Sequence, residues 1–225
     1  MEESVLLTPD LEHALKSLGH AIPTPRTRIM AGGAEAMFLE LPWTSLYETL
    51  KTGRFENVPL LAWMGPDQFR FLQPADSRYR FRYVRHDGRV LEPAAMDTDG
   101  GSIPWAITGI DGFSPWGYAP AFLIHDWLYI AHKCGNAPDN QWTFEETALL
   151  MAECMKTLIL LDRPSIPGKL PKNYLPRIDG GSRTVYTMYR AVTSSFARKI
   201  FNDPTTATCY ADPDLGYLLE FRPKA

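Results

Sequence analysis

The sequence predicts an α+β fold: a small antiparallel sheet, a glycine-rich loop, then about three packed helices, with an N-terminal helical elaboration ahead of them. Three observations carry this. Between Leu60 and Glu92 short apolar runs alternate with a period of two and are separated by turn signals. After Ala119 the period lengthens to that of helices. Between the two lies a stretch dense in glycine and carboxylates, with Asp97, Asp99, Gly100, Gly101, Gly109, Asp111, Gly112 and Gly117.

In chain order, Thr8-Pro9-Asp10 starts a short helix with Leu11, Ala14, Leu15 and Leu18 on one face and Gly19 as its stop. His13 and His20 are read as surface residues of that helix. The segment 21–33, with Pro23, Pro25, Gly32 and Gly33, is a connection. Trp43 to Lys51 has helical spacing and ends at Gly53. Residues 1–58 form the elaboration, 59–202 the core domain and 203–225 a C-terminal tail.

Strands are expected at Leu60 to Met64, Phe69 to Leu72, Tyr79 to Arg85 and Arg89 to Glu92. In the third, aromatics and arginines alternate, so the basic strip from Arg78 to Arg89 reads as a solvated strand face. His86-Asp87-Gly88 is a hairpin turn, which makes His86 a turn residue. Asn140 or Thr143 caps the next helix, with Glu145 and Glu146 in its first turn. That helix runs from Thr147 to Leu161 on a stripe of Leu149, Leu150, Ala152, Met155 and Leu158. A proline-rich loop from Asp162 to Ser182 leads to one helix over Arg183 to Phe201, and Tyr217 to Phe221 is a candidate strand in the tail.

Composition sets outer bounds. At 225 residues, 45% hydrophobic and 22% charged, the chain has ordinary globular composition. A net charge of -3 leaves no electrostatic footprint for nucleic acid. No apolar run approaches the ~20 residues that span a bilayer, and MEESVLLTPD lacks the features of a signal peptide. Cys134, Cys154 and Cys209 imply neither a disulfide framework nor a paired metal motif. These features describe a soluble protein of a reducing compartment.

The clearest functional signal is the adjacent pair His125-Asp126 inside the apolar run Ala119 to Ala131. Ionisable groups on a buried helix cost free energy unless paired, hydrogen-bonded or metal-bound. Tyr129 stands one helical turn from His125, and His132 two turns. A buried imidazole beside a carboxylate and a phenol has the parts of a general base. Asp126 beside loop carbonyls offers oxygen ligands to a divalent cation such as calcium. The opposing interpretation is a polar pin, with Asp126 fastening the loop to the helix and His125 bonded to a carbonyl.

Other combinations are weaker. Ser102, His125 and Asp99 or Asp126 supply triad parts, but Ser102 lacks a G-x-S-x-G elbow. A metal phosphohydrolase needs His86 to join His125, His132 and Asp126. Asp97-Thr98-Asp99-Gly100 opens like an EF-hand, yet Thr108 stands where the twelfth-position glutamate belongs. Trp105, Trp116, Trp127 and Trp142 are core residues or interface anchors.

Two resemblances follow from these motifs. T-D-G-G-S-I-P at Thr98 to Pro104, followed by A-x-x-x-H-D-W-L-Y at Ala121 to Tyr129, resembles a family of bacterial and tailed-phage proteins, domain of unknown function number one-three-five-three. The resemblance covers roughly Gln68 to Asn202 and implies a phage or prophage context without an established activity. It implies a host or phage protein as partner, in the cytoplasm of a bacterial host or associated with the virion. H-D-x-x-Y after a glycine-rich loop is also similar to the active site of secreted phospholipase A2 enzymes. That likeness implies His125 as the base, Asp126 as a calcium ligand and Tyr129 as an orienting group. Asp99, Gly100 and Gly101 are then the loop candidates for the remaining oxygen ligands. The chain departs from those enzymes where Ile124 replaces a cysteine, and no aspartate stands at the partner position on the following helix.

Overall fold

The computed structural model describes residues 3–29, 37–65, 68–98, 115–160, 181–206 and 209. The N-terminal sheet is built from β1 (Ser4–Leu6), β2 (Arg26–Ile29) and β3 (Met37–Pro42), in the order β1-β3-β2 and antiparallel throughout. Helix α1 (Pro9–Ser17) begins as its sequence requires: Leu11 N–H donates to Thr8 Oγ1 at 3.1 Å, and Pro9 occupies the first turn. It ends at Gly19, whose φ of +73° suits a residue without a Cβ. Helix α2 is Trp43–Thr49.

The expected single sheet is two three-stranded antiparallel sheets. One joins β4 (Arg54–Glu56), β7 (Arg82–Val84) and β8 (Val90–Leu91); the other joins β5 (Leu60–Gly65), β6 (Gln68–Leu72) and β9 (Met96–Thr98). The strand expected from Tyr79 starts only at Arg82. Asp76 accepts from the Arg78 N–H at 3.0 Å and nucleates a 3-10 turn over Ser77–Tyr79, which leaves Tyr79 exposed. The hairpin from β7 to β8 follows its turn chemistry, with Gly88 at φ +86°.

The remaining helices are α3 (Ala119–Cys134), α4 (Phe144–Leu160), α5 (Ser182–Val192) and α6 (Ser195–Asn202). Thr143 and Glu146 cap α4 reciprocally: Thr143 N–H donates to Glu146 Oε2 at 2.8 Å and Glu146 N–H to Thr143 Oγ1 at 3.3 Å. The stripe read from the sequence understates this helix, which is buried on nearly every side from Glu146 to Leu158. The helix expected over Arg183 to Phe201 is broken in two. Ser194 turns to extended backbone and accepts from the Ala197 N–H at 3.2 Å, starting α6 afresh.

One core cluster takes side chains from both sides of residue 58: Leu15, Trp43 and Leu46 meet Tyr83, Leu128, Leu150 and Tyr189. Two polar links tie the N-terminal segment into it. Trp43 Nε1 donates to the Ser182 carbonyl at 2.6 Å, and the Lys156 ammonium donates to the carbonyls of Tyr47, Glu48 and Leu50 at the end of α2. Cys134 and Cys209, 75 residues apart, are joined in a disulfide with their Cα atoms 5.6 Å apart, whereas the sequence implied no pairing. Such bonds persist in oxidising surroundings. The loop expected from Asp162 to Ser182 lies outside the described residues except at its last two positions, and the candidate tail strand at Tyr217 to Phe221 lies entirely outside them. Among the described residues, no helix is long and apolar enough to cross a membrane.

Candidate functional site

Helix α3 carries the candidate residues. Its sequence is apolar all round, so it packs between α4 and β9 rather than on the surface. Pro120 fits the first turn, and Gly135 at φ +70° closes the helix in the left-handed conformation. His125 and Tyr129 are buried on one side, and Asp126 is partly buried.

Thr98, the last residue of β9, donates from its hydroxyl to Asp126 Oδ2 at 2.7 Å. His125 Nδ1 is 3.8 Å from Asp126 Oδ1, too far for a hydrogen bond. The His125 and Tyr129 rings lie 4.5 Å apart between centroids and tilted. His125 Nε2 and the Tyr129 hydroxyl are both buried without a hydrogen-bond partner among the described residues. Burial, reinforced by the negative charge of Asp126, pushes the Tyr129 phenol well above its ordinary pKa and keeps it neutral. Phe201 of α6 closes the far side, edge-on to Tyr129 and stacked on His132 at 4.0 Å.

The structure therefore joins His125, Asp126 and Tyr129 on α3. It places His132 against Phe201, one turn further along. Asp99, Gly100, Gly101 and Ser102 lie outside the described residues, as do Trp105 and Thr108. His86 does not reach this site: its ring packs 5.7 Å from that of His20. Among the described residues no group of three or more His, Cys, Asp or Glu side chains is arranged to hold a metal. The carboxylates of α4 are also committed elsewhere. Glu145 pairs with Arg198, Glu146 caps its own helix, and Glu153 points into a different cluster. Among the described residues, Asp126 accepts from the Thr98 side chain at the approach of the glycine-rich loop, and His125 makes no hydrogen bond to a carbonyl.

That different cluster was not anticipated. Arg85, expected on a solvated strand face, and His20, expected at the surface, both have side chains with 0% exposure, as does Glu153. Arg85 donates from Nη2 to Glu153 Oε2 at 2.9 Å and to the Leu18 carbonyl at 2.9 Å, and from Nη1 to Asp87 at 2.6 Å. Tyr83 donates to Glu153 Oε1 at 3.0 Å, and Gly53 N–H donates to the Tyr83 oxygen at 2.9 Å. A Cβ at Gly53 would overlap the Val84 carbonyl oxygen, so only glycine allows this approach. Lys51 N–H donates to His20 Nδ1 at 3.3 Å, which assigns the ring proton to Nε2, 3.3 Å from Glu153 Oε2 and poorly aligned with it. Burial pushes the Glu153 pKa up, but the adjacent His20 imidazole and the hydrogen-bonded Arg85 guanidinium outweigh it and hold the carboxyl below its ordinary value.

Sequence parity carried a signal for Arg85: it shares its odd position with Phe81 and Tyr83, which are both buried. Among the tryptophans, Trp127 is a core residue whose Nε1 donates to the buried Asp139 at 2.7 Å. Trp142 is half-buried beneath Arg89. No family model, curated protein or solved structure matches the chain.

Proposed function

We propose that this chain is a non-catalytic accessory, structural or host-interaction protein of phage or prophage context, in which Asp126 is a structural fastening rather than a catalytic ligand. The context rests on the resemblance carried by Thr98 to Pro104 and Ala121 to Tyr129. The non-catalytic reading rests on one observation: Asp126 spends its Oδ2 on the Thr98 hydroxyl at 2.7 Å, joining the end of β9 to α3 where the glycine-rich loop departs. A charged acceptor held by a short hydrogen bond contributes about 1.5–3 kcal/mol. In this role the bond holds a surface in shape for a protein partner.

The test is thermal melting of the wild type and Asp126→Ala, each with calcium, magnesium, zinc or EDTA. The fastening requires an early-melting variant and a wild-type midpoint indifferent to cations. A cation that raises the wild-type midpoint but not that of the variant would instead establish a metal site by linkage.

A second reading, hydrolysis by water activated on His125, is favoured by a separate observation. His125 Nε2 and the Tyr129 hydroxyl, on rings 4.5 Å apart, are buried without a hydrogen-bond partner among the described residues, an arrangement that costs free energy and is common where a ligand completes the hydrogen bonding. Ester or phospholipid turnover by the wild type, lost in His125→Asn without loss of fold, would replace the non-catalytic reading with this one.

A further inference from the structure

We propose that the disulfide Cys134–Cys209 is a redox latch on the candidate site: its reduction by a dithiol frees the C-terminal end of α6, lifts Phe201 from Tyr129 and opens the buried face that Tyr129 shares with His125. The bond is accessible to such an exchange, because Cys209 is exposed and Cys134 half-buried. A dithiol thiolate attacks Cys209 Sγ, the S–S bond breaks and Cys134 leaves as a thiolate. The second thiol of the reagent then displaces Cys209. Two electrons and two protons pass from the dithiol, which becomes a disulfide, to Cys134 and Cys209, which become thiols. Cys154 takes no part, being wholly buried in α4.

The element that the bond holds is marginal without it. Helix α6 has eight residues, too few to persist in water on helix propensity, so it depends on its contacts. Among the described residues of α6 only Phe201 is buried, with Ala197 and Ile200 half-buried beside it. Phe201 belongs to a small cluster with Tyr129 and Phe144, separate from the main core. The ion pair of Arg198 with Glu145 adds little, since Arg198 is half-exposed. A short helix seated by one side chain is the kind of element that opens locally before the rest of a fold.

The latch is placed to keep that side chain in its seat. At its N-terminal end α6 hangs from α5, which Val185, Met188 and Tyr189 fix in the main core. At its other end Cys209 follows Phe201 by eight residues, and Cys134 follows His132, on which Phe201 stacks, by two. The bond thus closes a short ring around the Phe201–His132 contact, and within that ring Phe201 meets its seat at the high effective concentration of a short tether. Tyr129 forms part of the seat, its hydroxyl and the His125 Nε2 both buried without a partner among the described residues. A chemical use of the opened face rests on the hydrolytic reading of His125; the latch itself is read from exchange and labelling, so the two can fail separately.

The test is amide hydrogen exchange of the whole chain, air-oxidised and after dithiothreitol, at labelling times too short for α4 to exchange in either form. Amides of residues 197–202 are expected to exchange at least about tenfold faster once the bond is reduced, with α4 still protected. Cys209→Ser, at an exposed position, is expected to show the fast rate without reductant and no response to it; Cys134→Ser is the second variant. Hydroxyl-radical footprinting of the oxidised wild type and Cys209→Ser, both free of reductant, is expected to raise Tyr129 labelling at least about threefold in the variant. An oxidised wild type that titrates three thiols in denaturant overturns the proposal. So does an α6 that reduction leaves unchanged, an α6 that opens only together with α4, or a Tyr129 no more labelled in the variant.

Discussion

The buried Arg85–Glu153 pair allows a quantitative test of how this fold is held. Both side chains are withdrawn from water, and two contacts join them, Nη2 to Oε2 at 2.9 Å and Nε to Oε1 at 3.3 Å. Glu153→Leu removes the acceptor and strands a guanidinium whose remaining partners are Asp87 and the Leu18 carbonyl. Breaking a buried ion pair by removing one partner costs about 3–5 kcal/mol. Arg85→Met strands the carboxylate among Tyr83 and His20, at a similar expected cost. For a chain of this length each kcal/mol moves the midpoint by about 2 °C, so each single variant should melt about 6–10 °C early. The double variant removes both charges and replaces them with apolar groups, which is often neutral or stabilising. Its loss is therefore expected to fall well below the sum of the singles, with a coupling of at least about 2 kcal/mol. Calorimetry or circular dichroism melts of the four proteins, repeated in urea, measure the cycle. Additive losses, or single variants within about 1 °C of wild type, would refute the account of Arg85 and Glu153 as a coupled buried pair.

Acidification should destabilise the same region in two stages. Burial lowers the His86 pKa despite the nearby Glu153 carboxylate, so the folded state resists protonation and stability falls as pH drops below the unfolded histidine value. Asp87 is held at about 2, burial raising it and hydrogen bonds from Arg89 together with the charge of Arg85 lowering it further. Its contribution is present above the ordinary aspartate range and lost as pH falls towards 2; urea titrations with His86→Gln should remove the first stage and keep the second. Reduction of Cys134–Cys209 should lower the melting midpoint, because the bond closes a 75-residue loop worth up to about 4.5 kcal/mol of chain entropy. Cys134→Ser should reproduce that loss and be insensitive to reductant.

What was legible in the sequence was local. Thr8, Gly19, Gly88 and Thr143 act within a few residues of themselves, so their caps and turns follow from residue type and spacing alone. The placement of His125, Asp126 and Tyr129 on one helix follows from periodicity in the same way. The break at Ser194 was also locally encoded, since Thr193-Ser194-Ser195 is a run of cap-forming residues inside an amphipathic pattern strong enough to mask it. The cluster of His20, Arg85 and Glu153 was different in kind. Each of the three looks like a surface residue in its own window, and only tertiary contact between segments about 65 residues apart withdraws them together. Parity placed Arg85 on the inner face, but nothing local named Glu153 as its counter-ion. The bond from Cys134 to Cys209 was hidden for the same reason.

The contrast between His20 and His125 bears directly on the function. His20 sits against Glu153 with Lys51 N–H on its other nitrogen. His125 is buried too, yet its Nε2 has no partner among the described residues, and the hydroxyl of Tyr129, whose ring lies 4.5 Å away between centroids, has none either. Leaving such a group unsatisfied costs about 1–3 kcal/mol. Replacing it with an apolar side chain of similar volume is therefore expected to raise the melting midpoint by about 2–6 °C. His125→Leu tests this beside Asp126→Ala, which loses the Thr98 bond and should melt early. Opposite signs at adjacent positions would place the fastening in Asp126 alone and leave His125 as a group retained at a cost to stability. A residue retained on those terms is kept for what it does with a partner or a substrate. If His125→Leu melts early instead, the imidazole is part of the pin, and the hydrolytic reading loses the observation that favours it.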